Sequence, residues 1–286
     1  MKLGVFDDNR LGALVGEETV DVTDLLVDHL GGPSAAGPLH ALIESAAAQA
    51  LLTEEALASA PRVAGPVRWR APLPRPGKIP GAPANYRAHV AEMGNPNTIS
   101  EWGMFLKASS SVIGPGEAIE LPYTDVRTDH EGELAVVIGR TCRNVSLEDA
   151  LDVVFGYTCL LDITTRSTED RSTRKSYDTF TPLGPLVVTS DEIEDPDALG
   201  IRLWVGEELR QDASTAAMIF GVRQLIAYTS SVMTLHPGDV IATGTPEGVG
   251  PIVDGDVVTV EIEAVGTLTV TVSAADAIPY ADRPRA

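Results

Sequence analysis

Glu131, Glu133 and Asp162 are carboxylates set against apolar runs. The two glutamates lead directly into Leu134-Ala135-Val136-Val137-Ile138, a buried strand by composition. Asp162 ends the run Tyr157-Thr158-Cys159-Leu160-Leu161. Side chains two apart on a strand share a face, so Glu131 and Glu133 project together while Gly132 faces away. Two carboxylates side by side at the mouth of a core strand repel each other and lose hydration, and a bound cation resolves both costs. Three oxygen ligands suit a hard divalent ion, Mg²⁺, Mn²⁺ or Ca²⁺, with water or substrate completing the shell. No His or Cys cluster has zinc spacing. The competing reading is a solvated strand start with both acids in water, as most acids are.

Arg166, Arg171, Arg174 and Lys175 follow Asp162 closely. The net charge of −20 opposes nucleic acid, anionic membrane surfaces and long-range steering of an anionic substrate. Positive charge for such a substrate therefore has to be local, and this cluster supplies it. A solvated loop accounts for the arginines equally, and Lys175 is the member most directly tied to the carboxylates. His89 and Glu92 are three apart and share a face if Tyr86 to Met93 is helical. A carboxylate beside an imidazole fixes its tautomer and raises its basicity, as a water-activating base requires, although such a pair is also a common surface ion pair. Gly244, with Thr243 and Thr245, offers backbone amides and hydroxyls to an anion. No Gly-Lys-Ser/Thr follows, so this is not a phosphate-binding P-loop.

These residues need elements to hold them. Met1 to Asp24 reads as a small antiparallel meander turning at Asp7–Arg10, with Thr23 or Asp24 capping a short helix. Gly31 to Gly37 is a loop, and Pro38 to Ser59 forms two helical pieces, the second capped by Thr53. Prolines 61, 66, 72, 74 and 76 mark a linker. The chain thus divides into a small N-terminal domain, residues 1–70, and a catalytic domain, residues 71–286. In the second, strand signals dominate. Gly94 to Asn97 breaks the His89 helix and leaves a mobile polar stretch, and Met104–Lys107 and Ala118–Leu121 are strands. Ser146 caps a helix from Glu148 to Val153. Ile201–Val205 and Glu207–Arg210 form a hairpin, and Asp212 to Ser230 is helical, its stripe of Met218, Ile219, Val222, Leu225 and Ile226 facing the core. Asp256–Ile262 pairs with Gly266–Val272, and the chain frays from Pro279.

A chain of 286 residues buries roughly 75% of its unfolded surface, enough for a large core. Gly 26 and Pro 20 favour a turn-rich, β-rich fold. Cys142 and Cys159 make no disulfide framework and suit the reducing cytoplasm. The first residues lack the apolar core of a signal peptide, and nothing approaches the ~18 uninterrupted apolar residues of a membrane span.

The blocks NYRAHVAE, FLKASSSVIGPG, DHEGELAVVIG, GYTCLLDITTR, RKSYDTFTPLGP and GDVIATGTPEGVG, in this order from about Gly77 to about Val272, resemble the fumarylacetoacetate hydrolase family. The resemblance implies a mainly β (α+β) fold, a mixed β-sandwich roll with a small N-terminal α/β appendage. It also implies a Mg²⁺ or Mn²⁺ site and a homodimer. Glu131, Glu133 and Asp162 fall on the family's metal ligands, and His89 and Glu92 on its catalytic dyad. Arg166 and Thr245 fall on substrate-binding positions, with Tyr86 as a further one, and Lys175 on its catalytic lysine. Ser167 and Glu169 depart from the common Asp and Gln, which bears on how the distal end of a substrate is held. Ala82 stands where fumarylacetoacetase itself has an extra metal carboxylate, which favours the acylpyruvase-like branch. The implied activity is catabolic: hydrolysis of a C–C bond in an acylpyruvate-type 2,4-dioxo acid through a metal-held enolate. Decarboxylation or isomerisation of an oxo-dioic acid such as oxaloacetate is the alternative, since it shares that enolate.

Overall fold

Gly132–Ile138 is the strand on which the fold is built. In the computed structural model, which describes residues 1–30, 36–94 and 96–284, all of its residues are buried. Alternation divides them between two cores. Leu134, Val136 and Ile138 enter one, and Ala135 and Val137 the other. Each buried Leu, Val or Ile among them contributes roughly 1.5–3 kcal/mol.

The strand pairs antiparallel with Val154–Leu161 on one side and Val240–Ala242 on the other. Around this centre the sheet runs in the order Glu18–Asp21, Arg10–Val15, Lys2–Phe6, Thr181–Thr189, Val154–Leu161, Gly132–Ile138, Val240–Ala242, Ile79–Gly81, Phe105–Lys107. Val112–Ile113 adds in parallel beside Thr181–Thr189. A second sheet carries Glu208–Ser214, Gly200–Val205, Val257–Ile262, Gly266–Ser273 and Ala118–Glu120. Its Leu203, Val260, Leu268 and Val270 share the first core with Leu134 and Val136. The Val222–Val232 helix adds Val222, Leu225 and Ile226 to that core. The architecture is a mostly β sandwich, as the strand signals and the resemblance imply.

The N-terminal meander forms as expected over Lys2–Phe6, Arg10–Val15 and Glu18–Asp21. It docks through backbone pairing of Lys2 and Leu3 with Val188 and Val187, which covers an edge that would otherwise leave amides and carbonyls open. Leu3, Leu11, Leu39 and Leu42 share the second core with Val137 and Leu160. The core therefore runs across the proline-rich stretch at residues 61–76.

Several local expectations change. The first helix is Thr23–Leu26, and Thr23 accepts a hydrogen bond from Leu11 N–H instead of capping it. Pro38 to Ser59 makes three helical pieces, of which Thr53 caps the last. Ile99–Trp102 forms a short helix whose Thr98 and Glu101 make a capping box. Ser146 accepts from Asp149 N–H, but the turn that follows is a short 3-10 helix, Ala150–Val153. Asp212 to Ser214 stays in the hairpin, paired with Gly200–Arg202, so the helix starts only at Val222. Tyr280 is anchored by Glu169 and packs edge-to-face against Tyr123, so the tail is tied down as far as that ring. The loop expected over Gly31–Gly37 lies largely outside the described residues, as do Asn95, Arg285 and Ala286.

Candidate active site

Strand register brings the three acids together. Leu160 pairs with Glu133 and Leu161 with Gly132, which sets Asp162 across from Glu131. The Asp162 N–H donates to the Glu131 carbonyl at 2.8 Å. Glu131, Glu133 and Asp162 are 6%, 2% and 1% exposed, which removes the solvated-strand reading. One oxygen from each lies within 4.8 Å of the others.

Their partners are unequal. Glu131 accepts from Lys175 at 2.7 Å and Arg166 at 3.0 Å. Burial opposes its charge, but Lys175 and Arg166 more than offset that and lower its pKa. Asp162 is held by Lys107 and Lys175, each at 2.5 Å. Among the described residues Glu133 has no basic partner. It accepts a hydrogen bond from Gly244 N–H at 2.7 Å, and burial and Asp162 push its pKa well above the usual range. A buried carboxylate with two acidic neighbours and no counter-cation of its own fits a divalent ion on an all-oxygen donor set.

The same cavity is lined by His89, Trp102, Arg166, Arg171, Arg174, Lys175 and Thr245. His89 lies on the Arg87–Met93 helix, buried, with Nδ1 3.2 Å from Glu92 Oε2. Lys175 is buried and also donates to Thr164 Oγ1 at 2.7 Å. Burial works against its charge, yet Asp162 and Glu131 raise its pKa overall. Arg166 is fixed by Asp129 at 2.6 Å as well as by Glu131. Thr245 Oγ1 donates to the Gly132 carbonyl at 2.9 Å.

Gly244 precedes it at φ +93°. A Cβ there would meet Asn85 Cβ at 2.7 Å and the Ala82 carbonyl at 3.1 Å, so only glycine lets the loop present its amide to Glu133.

Tyr86 is not brought to the cavity wall. Its ring is fully buried at the start of the His89 helix and its hydroxyl has no hydrogen-bond partner among the described residues. Glu169 is likewise turned away, toward Tyr280 and Arg283. Ala82 lines the cavity and offers no ligand atom.

Three positioning residues escape the sequence reading. Lys107 is fully buried and holds Asp162. Thr164 sits between Lys175 and Glu131. Gln211 accepts from Gly132 N–H and donates to Thr245 Oγ1, both at 2.9 Å. Strand alternation from buried Phe105 could have flagged Lys107. Gln211 carries no such signal, because its partners are remote in sequence.

A mostly β sandwich with three buried carboxylates, a His–Glu pair and a basic wall defines a divalent-cation enzyme. The chain belongs to the fumarylacetoacetate hydrolase family, matching the family described as Fumarylacetoacetate (FAA) hydrolase C-terminal over residues 78–273. It is a metal-dependent hydrolase. A maleylpyruvate hydrolase from Aquipseudomonas alcaligenes is 44% identical over 287 residues, covering 95% of this chain and 99% of the relative. The structure of maleylpyruvate hydrolase from Sphingobium sp. SYK-6, in complex with manganese(II) ion and pyruvate, is 42% identical. It superposes with a TM-score of 0.86, covering 96% of this chain and 99% of that one. A 5-carboxymethyl-2-hydroxymuconate delta-isomerase from Mycobacterium smegmatis is 33% identical at a TM-score of 0.72, covering 96% of this chain and 99% of that one.

Proposed function

We infer that the protein hydrolyses the C3–C4 bond of acylpyruvate-type 2,4-dioxo acids, maleylpyruvate among them, releasing pyruvate and a carboxylic acid. The observation that carries this reading is the shared cavity of the Glu131/Glu133/Asp162 set and the His89–Glu92 pair. The two maleylpyruvate hydrolases, similar over nearly the whole chain, support it.

Glu131, Glu133 and Asp162 would hold a Mg²⁺ or Mn²⁺ ion. When bound, the ion supplies Lewis-acid stabilisation of negative charge on substrate oxygen. The protein's own groups account for the remaining steps. Glu92 accepts from Nδ1 of His89, which leaves the other ring nitrogen to take a proton from water. The hydroxide attacks the C4 carbonyl and the C3–C4 bond breaks. Its electron pair passes to C3 and the C2 oxygen, giving the enolate of pyruvate, which is then protonated at C3. Lys175 and Arg166 keep fixed positive charge beside that oxygen, a type of stabilisation whose loss typically costs on the order of 10²–10³ in turnover.

The isomerase neighbour keeps a second reading open, decarboxylation or isomerisation of an oxo-dioic acid through the same enolate. Turnover in H₂¹⁸O decides between them. Hydrolysis places ¹⁸O in the released acid, whereas CO₂ release or tautomer exchange without it assigns the lyase or isomerase chemistry. A homodimer in the cytoplasm belongs to the same reading, from the family resemblance and two unpaired thiols. Sedimentation velocity at micromolar protein tests the dimer. Among the described residues no helix is long and apolar enough to cross a membrane.

A further inference from the structure

Four basic side chains line the cavity, and two of them are already spent. Arg166 is held by Asp129 and Glu131, and Lys175 by Glu131 and Asp162. Arg171 and Arg174 form no ion pair among the described residues, in a chain with a formal charge of −20. They open and close the one-turn Arg171–Arg174 helix, an i, i+3 pair on a single face. The Arg174 Nε is buried without a hydrogen-bond partner among the described residues. The Arg171 guanidinium lies 4.0 Å over the Trp102 ring, which fixes its plane. Burial disfavours both charges, and Arg166 and Arg174 add repulsion. Two half-buried guanidiniums on one helical turn face the cavity with no ion pair of their own among the described residues, an arrangement that a ligand anion would complete. The fork geometry of each guanidinium matches a carboxylate.

We propose that Arg171 and Arg174 form a second carboxylate subsite, so that the enzyme selects 2-oxo acids bearing a distal carboxylate over those with a neutral tail. This rests on the acylpyruvate reading and narrows it to dicarboxylic acylpyruvates. The acid set and Lys175 serve the 2-oxo acid end, and the two arginines take the carboxylate on the acyl end.

Two measurements test it with wild type, Arg171→Gln and Arg174→Gln, each verified as folded by circular dichroism. In the first, 2-oxoadipate and 2-oxohexanoate, equal in length and differing in the distal carboxylate, are titrated into Mn²⁺-loaded protein. Wild type should bind 2-oxoadipate about 10–100-fold more tightly, the range expected for charge-assisted hydrogen bonds, and each variant should collapse that ratio. In the second, kcat/KM is compared for maleylpyruvate and acetylpyruvate, and the ratio should fall at least tenfold in each variant, chiefly through KM. Equal wild-type affinity for the two 2-oxo acids, or a ratio that survives both substitutions, overturns the subsite. Preference for 2-oxoadipate without cleavage of any acylpyruvate keeps the subsite and overturns the hydrolase reading instead.

Discussion

Lys107 and Lys175 hold opposite oxygens of one carboxylate. Lys107 Nζ donates to Oδ1 of Asp162 and Lys175 Nζ to Oδ2, each at 2.5 Å. The rest of their bonding separates their roles. Lys107 also donates to the carbonyls of Lys175 and Phe180, at 2.7 and 3.0 Å, and lies behind the cavity wall. Lys175 turns its remaining protons to Glu131 and Thr164 at the cavity. One lysine therefore aligns the aspartate and its neighbour's backbone, and the other faces the cavity. Burial lowers the Lys107 pKa, against the pull of Asp162.

Lys107→Met should therefore cost stability first. It takes a donor from the Lys175 carbonyl, leaves the Phe180 carbonyl with Ile163 N–H alone and weakens the hold on Asp162, for a loss of about 1–3 kcal/mol in urea unfolding. Added Mn²⁺ should raise the melting temperature of the variant more than that of wild type, because bound cation replaces part of the missing charge. An unchanged unfolding midpoint would remove Lys107 from this role.

Glu133→Gln separates metal binding from folding. The amide oxygen can still accept from Gly244 N–H, and the change removes a charge that burial and Asp162 disfavour. The metal-free variant should melt no lower than wild type, while Mn²⁺ affinity followed by electron paramagnetic resonance drops by at least about 100-fold. Full Mn²⁺ affinity in the variant would take Glu133 off the ligand set.

The centre of the site was legible because it is written in local pattern. Glutamates two apart at the head of a Leu-Ala-Val-Val-Ile run must share a face, and the structure buries both. Their meeting with Asp162 depends on register between two strands; the residue types proposed the trio and the family resemblance strengthened it. Lys107 carried a signal in the alternation from Phe105 that went unread, whereas Gln211 was missed because its partners lie far along the chain. The helix read over Asp212–Ser230 began too early for a comparable reason. Pairing with Gly200–Arg202 outweighs the helical spacing of Asp212 to Ser214.

Gln211 ties the acid strand to the Thr245 loop. Its side chain accepts from Gly132 N–H and donates to Thr245 Oγ1 and to the Pro246 carbonyl, each at 2.9 Å. Gln211→Leu keeps volume but strands these groups, so it should cost roughly 1–3 kcal/mol and also lower kcat/KM. Loss of stability with unchanged kinetics would show that the loop holds its place without this tie.

The Arg10–Asp21 pair gives a pH signature remote from the site. Burial raises the Asp21 pKa, but hydrogen bonds from Arg10 and Thr23 outweigh it and lower the folded-state value. A lowered acid contributes stability that is complete above its unfolded value, about 3.9, and lost as pH falls through the folded value. The stability difference between wild type and Asp21→Asn should thus be flat from about pH 5 to 8 and shrink on acidification below about pH 4. Measured by denaturant unfolding, a difference that widens toward acid would contradict the pairing.

His89 distinguishes water activation from enolate chemistry. It is buried at the cavity with Nδ1 on Glu92, and the second Glu92 oxygen is 3.4 Å from Gly248 N–H. This arrangement orients the ring but leaves the charge on Glu92 half in water. If His89 generates hydroxide, His89→Ala should lower acylpyruvate hydrolysis by about 10²–10⁴, the usual range for a general base. Oxaloacetate decarboxylation needs no attacking water, so any such activity should fall far less in the same variant. Glu92→Gln should act through the ring, lowering kcat for hydrolysis with little change in KM. Equal losses of both activities in His89→Ala would assign the imidazole to substrate binding instead.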